Sequence, residues 1–262
     1  MDKELIRAGE RVRQILIDKG KQPMFLTVSG SHSHNLARPD SDIDIRGVYL
    51  DPTSQILSLH RGKDTVEGSE GILDYQLYEF GKFLGMLLKG NGNMIRLVLS
   101  PTSLWWDQRV DWNSLVQKFI TKRLRLYYRG YAESQRKRCM SQRGGKALIY
   151  TYREMFEGLS VMRLGFPIFD FKELWQWVVD EGYYGGGLLD KYFPCPTANV
   201  SDEGWRKFYS EWEDLCEWLD TVADESYLPH DYDGFEEMNK ILYDWRIANI
   251  FEEKVKEYGS DS

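Results

Sequence analysis

Nowhere does this chain carry an apolar run near the roughly 20 residues a membrane-spanning helix needs, so an integral helical membrane protein is excluded as a reading. The opening stretch, MDKELIRAGERVRQILIDKG, is charged throughout and lacks the apolar core and small-residue cleavage site of a signal peptide. Cysteine is scarce. Cys139, Cys195 and Cys216 are scattered, odd in number and without metal-ligand spacing, so neither a disulfide framework nor a zinc ribbon is expected. The sequence has no internal repeat, which argues against a solenoid. These absences point to a cytoplasmic protein with no membrane partner.

What is present suits a globular protein. The 262 residues suffice for one large domain or two modest ones, with 42% hydrophobic and 29% charged residues. The net charge of −7 argues against a wholesale nucleic-acid coat. Its distribution is uneven: nine Lys and Arg stand against one acid, Glu133, between Thr121 and Lys146. From Ser201 onward 18 acids stand against six bases. The basic segment is either a phosphate-holding surface or a solvated helix face.

Hydrophobic periodicity predicts a helix from Asp2 to about Gly20, with Leu5, Ile6, Val12, Ile15 and Leu16 near helical spacing. Short strands are predicted at Met24–Val28, Ile43–Leu50 and Ile72–Tyr78, the last placing Asp74, Gln76 and Tyr78 on one parity. Phe80 to Lys89 reads as a helix that Asn91-Gly92-Asn93 breaks. After Pro101 the alternation disappears and aromatic-rich helical patterns run to about Glu257, interrupted at Gly165-Phe166-Pro167, Gly185-Gly186-Gly187 and Pro194-Cys195-Pro196. The aromatic wealth beyond Trp105 reads as helix packing rather than a base-stacking platform. The expectation is an α+β protein: residues 1–110 a mixed sheet with flanking helices, residues 111–262 an α-helical domain.

The chemistry concentrates between Gly30 and Asp44. Asp42 and Asp44 are two apart on a predicted strand, so their carboxylates leave the same face and repel. A divalent cation offsets that cost, and hard oxygen ligands favour magnesium or manganese. Upstream, Gly30-Ser31 ends a strand, where glycine permits close backbone approach and amides plus a hydroxyl can hold a phosphate.

Gly-Ser followed by Asp-x-Asp on a strand resembles the signature of the DNA polymerase β-type nucleotidyltransferase superfamily. Asp40-Ser41-Asp42-Ile43-Asp44-Ile45-Arg46-Gly47-Val48-Tyr49 is similar to the YcgL/RlaP-like, RNA-repair-associated group within it. Further likeness follows in Asp74, the helix Phe80 to Lys89, Asn91, Ser100-Pro101 and the segment Gly145 to Arg153, so the resemblance spans about Phe25 to Leu164. Gly92 stands where these relatives carry proline, and Arg96 where they carry glutamate.

The resemblance implies a polymerase β-like catalytic domain that transfers a nucleoside monophosphate from a nucleoside triphosphate to an acceptor hydroxyl. Asp42, Asp44 and Asp74 are its implied catalytic and metal-binding residues, holding two Mg²⁺ or Mn²⁺ ions, with Asp74 as base. Gly30 and Ser31 are the implied grip on the β- and γ-phosphates. Arg46, Lys146 and Arg153 are candidate nucleotide contacts, the last two sharing a helix face at two turns. Arg46 is equally readable as an internal ion pair. His32 and His34 read as loop residues near the nucleotide. Arg136, Lys137 and Arg138 are the candidate acceptor contacts. That acceptor is a tRNA or broken RNA end, a protein hydroxyl in an AMPylating, antitoxin-like enzyme, or a small molecule. A non-catalytic nucleotide- or partner-binding module and a metal-dependent nucleotide hydrolase are the rival classes.

Overall fold

Helix α1 (Lys3–Asp18) begins where the Asp2 carboxylate accepts from the Glu4 amide, and the chain turns away at Gly20, whose φ of +68° suits a residue without Cβ. The computed structural model describes residues 2–182, 187–193 and 198–259. Val12, Ile15 and Leu16 of α1 are buried against one face of a five-stranded sheet. Its strands are β1 (Gln22–Ser29), β2 (Ile43–Leu50), β3 (Thr65–Glu70), β4 (Leu73–Glu79) and β5 (Ser103–Trp106), ordered β3-β4-β2-β1-β5. β2 and β4 run parallel and every other pair antiparallel, so the sheet is mixed, as the alternation predicted.

The two-residue period sorts β2 cleanly. Ile43, Ile45 and Tyr49 enter the core shared with α1, while Asp44, Arg46 and Val48 face the other way. Two short helices interrupt the strands, α2 (Gly30–Ser33) directly after β1 and α3 (Thr53–Ile56) after β2. Beyond β4, α4 (Phe80–Leu88) and α5 (Gly92–Leu99) lead to β5 and α6 (Trp112–Gln117). Trp112 anchors this second layer, meeting Phe25, Phe80 and Phe83 edge-on at 5.1, 6.1 and 5.8 Å.

Two features here depart from expectation. Asn91-Gly92-Asn93 does not merely break a helix, because the Asn91 side chain caps α5 by accepting from the Asn93 amide. Alternation also does not end at Pro101: Ser103–Trp106 pairs with β1, its aromatic residues having masked a short edge strand.

The chain separates into two compact units, residues 1–117 with 233–262, and residues 118–232. This division differs from the expected 1–110 and 111–262, because the final helix α12 (Phe235–Gly259) belongs with the sheet. In α12, Arg246 binds Glu79 and the Asp51 carbonyl, Asn249 and Glu253 accept from Thr53 at 2.9 and 2.6 Å, and Trp245 packs on Phe80.

The second unit is helical: α7 (Leu124–Gln142), α8 (Gly145–Leu164), α9 (Phe171–Asp180), α10 (Gly187–Tyr192) and α11 (Asp202–Glu225). α8 is buried on nearly every side, and Gly165, at φ +79°, ends it where the Gly-Phe-Pro interruption was expected. Tyr152, Phe156 and Phe208 pack together, so these aromatics serve the core, as read. Gly185, Gly186, Pro194, Cys195 and Pro196 lie outside the described residues. Cys139 and Cys216 are free and buried, and burial alone pushes the Cys139 thiol up to about 12. No helix among the described residues is long and apolar enough to cross a membrane.

Candidate active site

Strand register creates the site. In the parallel ladder Asp44 of β2 lies directly opposite Asp74 of β4, and in the antiparallel ladder Asp44 lies opposite Ser29, the last residue of β1. Arg46, two residues beyond Asp44 and on the same face, donates to Asp44 Oδ1 and to Asp74 Oδ1, both at 3.0 Å. The guanidinium therefore joins the two carboxylates, and the reading of Arg46 as an internal ion pair matches this geometry.

Gly30 is where the chain leaves β1 for α2, at a φ of +63°. A Cβ there would overlap the Asp44 carboxylate, so two independent constraints demand glycine: the left-handed backbone and the close approach to Oδ2. Ser31 follows, buried in the first turn of α2, and the Ser33 hydroxyl donates to the Gly30 carbonyl at 2.9 Å. His34 is buried in the same loop, and the Nε2 of its neighbour His32 is buried without a hydrogen-bond partner.

Burial pushes the Asp44 carboxyl above the usual carboxylate range; Arg46 opposes this, while the charges of Asp74 and Asp42 add to it. Asp42 stands one residue before β2 and is exposed, close enough for its charge to reach Asp44. The expected three-carboxylate cluster is thus drawn more loosely than anticipated. Among the described residues no three His, Cys, Asp or Glu side chains gather as a metal-holding group. The physical reason is visible: Arg46 supplies a positive charge between Asp44 and Asp74, and Asp42 remains in solvent. The donor set still fits a divalent ion, being hard anionic oxygens in mutual repulsion beside a glycine cradle.

The other expected contacts lie in the helical unit and fare differently. Arg153 points inward, bound to Glu154 and, at 2.7 Å, to Glu157, both wholly buried. A nucleotide contact by Arg153 is therefore corrected to an internal ion cluster, because α8 has almost no solvated face. Lys146 is exposed over the Tyr150 ring at 5.9 Å. Arg136 grips Glu133 through two hydrogen bonds of 2.6 and 2.8 Å and stacks over Tyr209 and Trp212, so it is not the free surface cation expected. Lys137 and Arg138 remain exposed.

Four of the nine cations of the basic segment are answered by the acidic one. Arg125 and Arg129 pair with Asp224 and Asp220 at 2.6 Å each, Arg123 with Asp231 at 3.2 Å, and Arg143 with Asp202 at 2.7 Å. These pairs tie the basic helix and loop residues to acids of the same unit.

Sequence reading missed the polar track that continues the site. β3 pairs with β4 so that Glu67 faces Gln76 and Thr65 faces Tyr78, on the same side as Asp74. Lys82 completes the line, donating to Asp64 at 2.8 Å and Thr65 at 2.7 Å beside the Tyr78 ring. The signal was the polar parity of Thr65, Glu67 and Ser69, which face Tyr78, Gln76 and Asp74 in turn.

Residues 6–184 match the family described as RlaP, RNA repair pathway DNA polymerase beta family. An uncharacterized protein of Methanocaldococcus jannaschii is 28% identical, across 78% of this chain and 84% of its own length.

Proposed function

The chain belongs to the RNA repair pathway DNA polymerase beta family, and from that premise we propose that it transfers a nucleoside monophosphate from a nucleoside triphosphate to an RNA-end hydroxyl. One observation carries the site assignment: Asp44 and Asp74 are register partners on parallel strands, with Gly30 packed against Asp44. A purely structural ion pair gives no reason for that glycine.

Magnesium or manganese held by Asp42, Asp44 and Asp74 would neutralise the transferring phosphoryl group and lower the pKa of the acceptor hydroxyl. Gly30 and Ser31 bind the β- and γ-phosphates through backbone amides and the serine hydroxyl. Arg46 bridges Asp44 and Asp74 in the free protein, and it would meet triphosphate charge when they engage elsewhere. Asp74, the more exposed carboxylate, takes the proton from the acceptor hydroxyl. The acceptor oxygen attacks the α-phosphorus in line, forming one P–O bond as the α–β bridge breaks and pyrophosphate leaves.

The test incubates the protein with each α-labelled nucleoside triphosphate, Mg²⁺ and RNA carrying defined ends. Label should enter RNA, with stoichiometric pyrophosphate, and Asp44→Asn should abolish it. Label appearing in protein instead would replace the RNA acceptor with a protein hydroxyl, and free nucleoside monophosphate would indicate hydrolysis.

A further inference from the structure

A groove of about 1080 Å³ opens along the β3–β4 edge of the sheet, and nothing in the catalytic reading uses it. Gln76 forms part of its lining, and Gln76 is also the register partner of Arg46. At Gln76 the groove reaches the face that carries Asp74 and comes within two residues of it. From Asp74 to Tyr78 the track runs four residues, about 13 Å, and Lys82 then extends it.

The charges around this groove are unevenly matched. Its acids are engaged: Asp51 with Lys21, Asp64 with Lys82, Glu79 with Arg246, and Glu67 with the Gln76 amide. Lys19, Arg61 and Lys63 line the same groove, are exposed, and make no ion pair among the described residues. Three cations are thus left facing a channel whose acids are already spoken for. The basic segment of the helical unit shows the opposite balance, with Arg123, Arg125, Arg129, Arg136 and Arg143 all paired to acids.

The geometry points to this groove as the binding track for the sugar-phosphate backbone of single-stranded RNA, with Lys19, Arg61 and Lys63 on its phosphates and the RNA end directed to Asp74. The inference rests on the nucleotidyltransferase reading for the identity of the end.

Anisotropy of a fluorescein-labelled, 15-nucleotide single-stranded RNA, titrated in EDTA so that no transfer occurs, tests it with the full chain. Lys19→Gln/Arg61→Gln/Lys63→Gln should weaken binding about tenfold or more and flatten the log–log salt slope by about 2, since each neutralised phosphate releases counterions. The charge-reversed triple with glutamate should lose binding further, while Lys137→Gln/Arg138→Gln should bind as the parent does. Thermal unfolding and MgATP affinity should be unchanged in the groove variants, which separates lost RNA contact from lost fold. The inference is overturned by a parent protein that does not bind the RNA, by triples that bind it with the parental slope, or by a parallel loss of MgATP, which makes the groove a triphosphate site. Failure of the catalytic reading looks different: RNA binding that depends on the groove, with no label transferred from any triphosphate.

Discussion

Arg46 in one unit and Arg153 in the other each stand between two carboxylates, and what separates these two cases is water. Arg46 with Asp44 and Asp74 lies on an open sheet face, with side chains 26%, 27% and 49% exposed. Arg153 with Glu154 and Glu157 lies inside α8, with side chains 3%, 0% and 0% exposed. The sealed cluster has further internal support, the Tyr128 hydroxyl donating to Glu157 at 3.2 Å. In the open cluster water and a ligand can replace the arginine, so the carboxylates are available for chemistry. In the sealed one nothing can replace it, and losing one member strands a buried charge. Composition made the two look alike; burial leaves one open to a ligand and commits the other to the integrity of a helix bundle.

The contrast can be broken most forcefully at Asp44. Asp44→Asn should reduce label transfer by at least about a hundredfold. Unfolding temperature without metal should hold or rise, because a carboxylate charge leaves a crowded site. A large fall in unfolding temperature would make the open cluster structural after all.

Next in size is the sealed cluster. Glu157→Gln and Arg153→Met should each cost about 3–5 kcal/mol, read by denaturant unfolding. Arg46→Met should cost no more than about 1 kcal/mol, since its partners are solvent-screened. Equal losses at the two arginines would erase the distinction.

Acidity sharpens the comparison further. Burial raises the Asp44 carboxyl above its unfolded value, so its contribution to stability is present at low pH and is lost as pH rises through the raised value. Asp44→Asn should remove that decline from unfolding profiles taken without metal between about pH 3 and 7. The smallest effect belongs to the surface: Lys137→Ala and Arg138→Ala should each change stability by no more than about 0.5 kcal/mol. Arg136→Ala should exceed them by thermal unfolding, because it forfeits both Glu133 and two aromatic faces.

The same contrast explains what the sequence disclosed. Ile43–Leu50 alternates because one face meets α1 and the other meets solvent and a second layer, so its strand bounds and the shared face of Asp44 and Arg46 were legible. Gly30 was legible too, as a glycine at a strand end before a polar loop. Arg153 was not, because a helix buried all round carries no periodic difference between faces, and a buried arginine is indistinguishable in sequence from a solvated one. The pairing of Arg125 and Arg129 with α11 joins residues 99 and 91 apart, beyond any local spacing rule. The β3 and β5 strands were too short, and too charged or too aromatic, to show a period.

Because α12 belongs with the sheet, the catalytic unit is written in two separated stretches of message, with the whole helical unit translated between them. At about 5–20 residues per second, the ribosome finishes the five strands well before it delivers the helix that satisfies Glu79 and Thr53. During that interval the nascent sheet carries polar groups awaiting partners not yet synthesised. A transcript cut, or a ribosome stalled, anywhere between codons 118 and 234 therefore yields a polypeptide with every proposed catalytic carboxylate and an incomplete catalytic unit. Under the proposed function, full activity certifies that the message was read through α12.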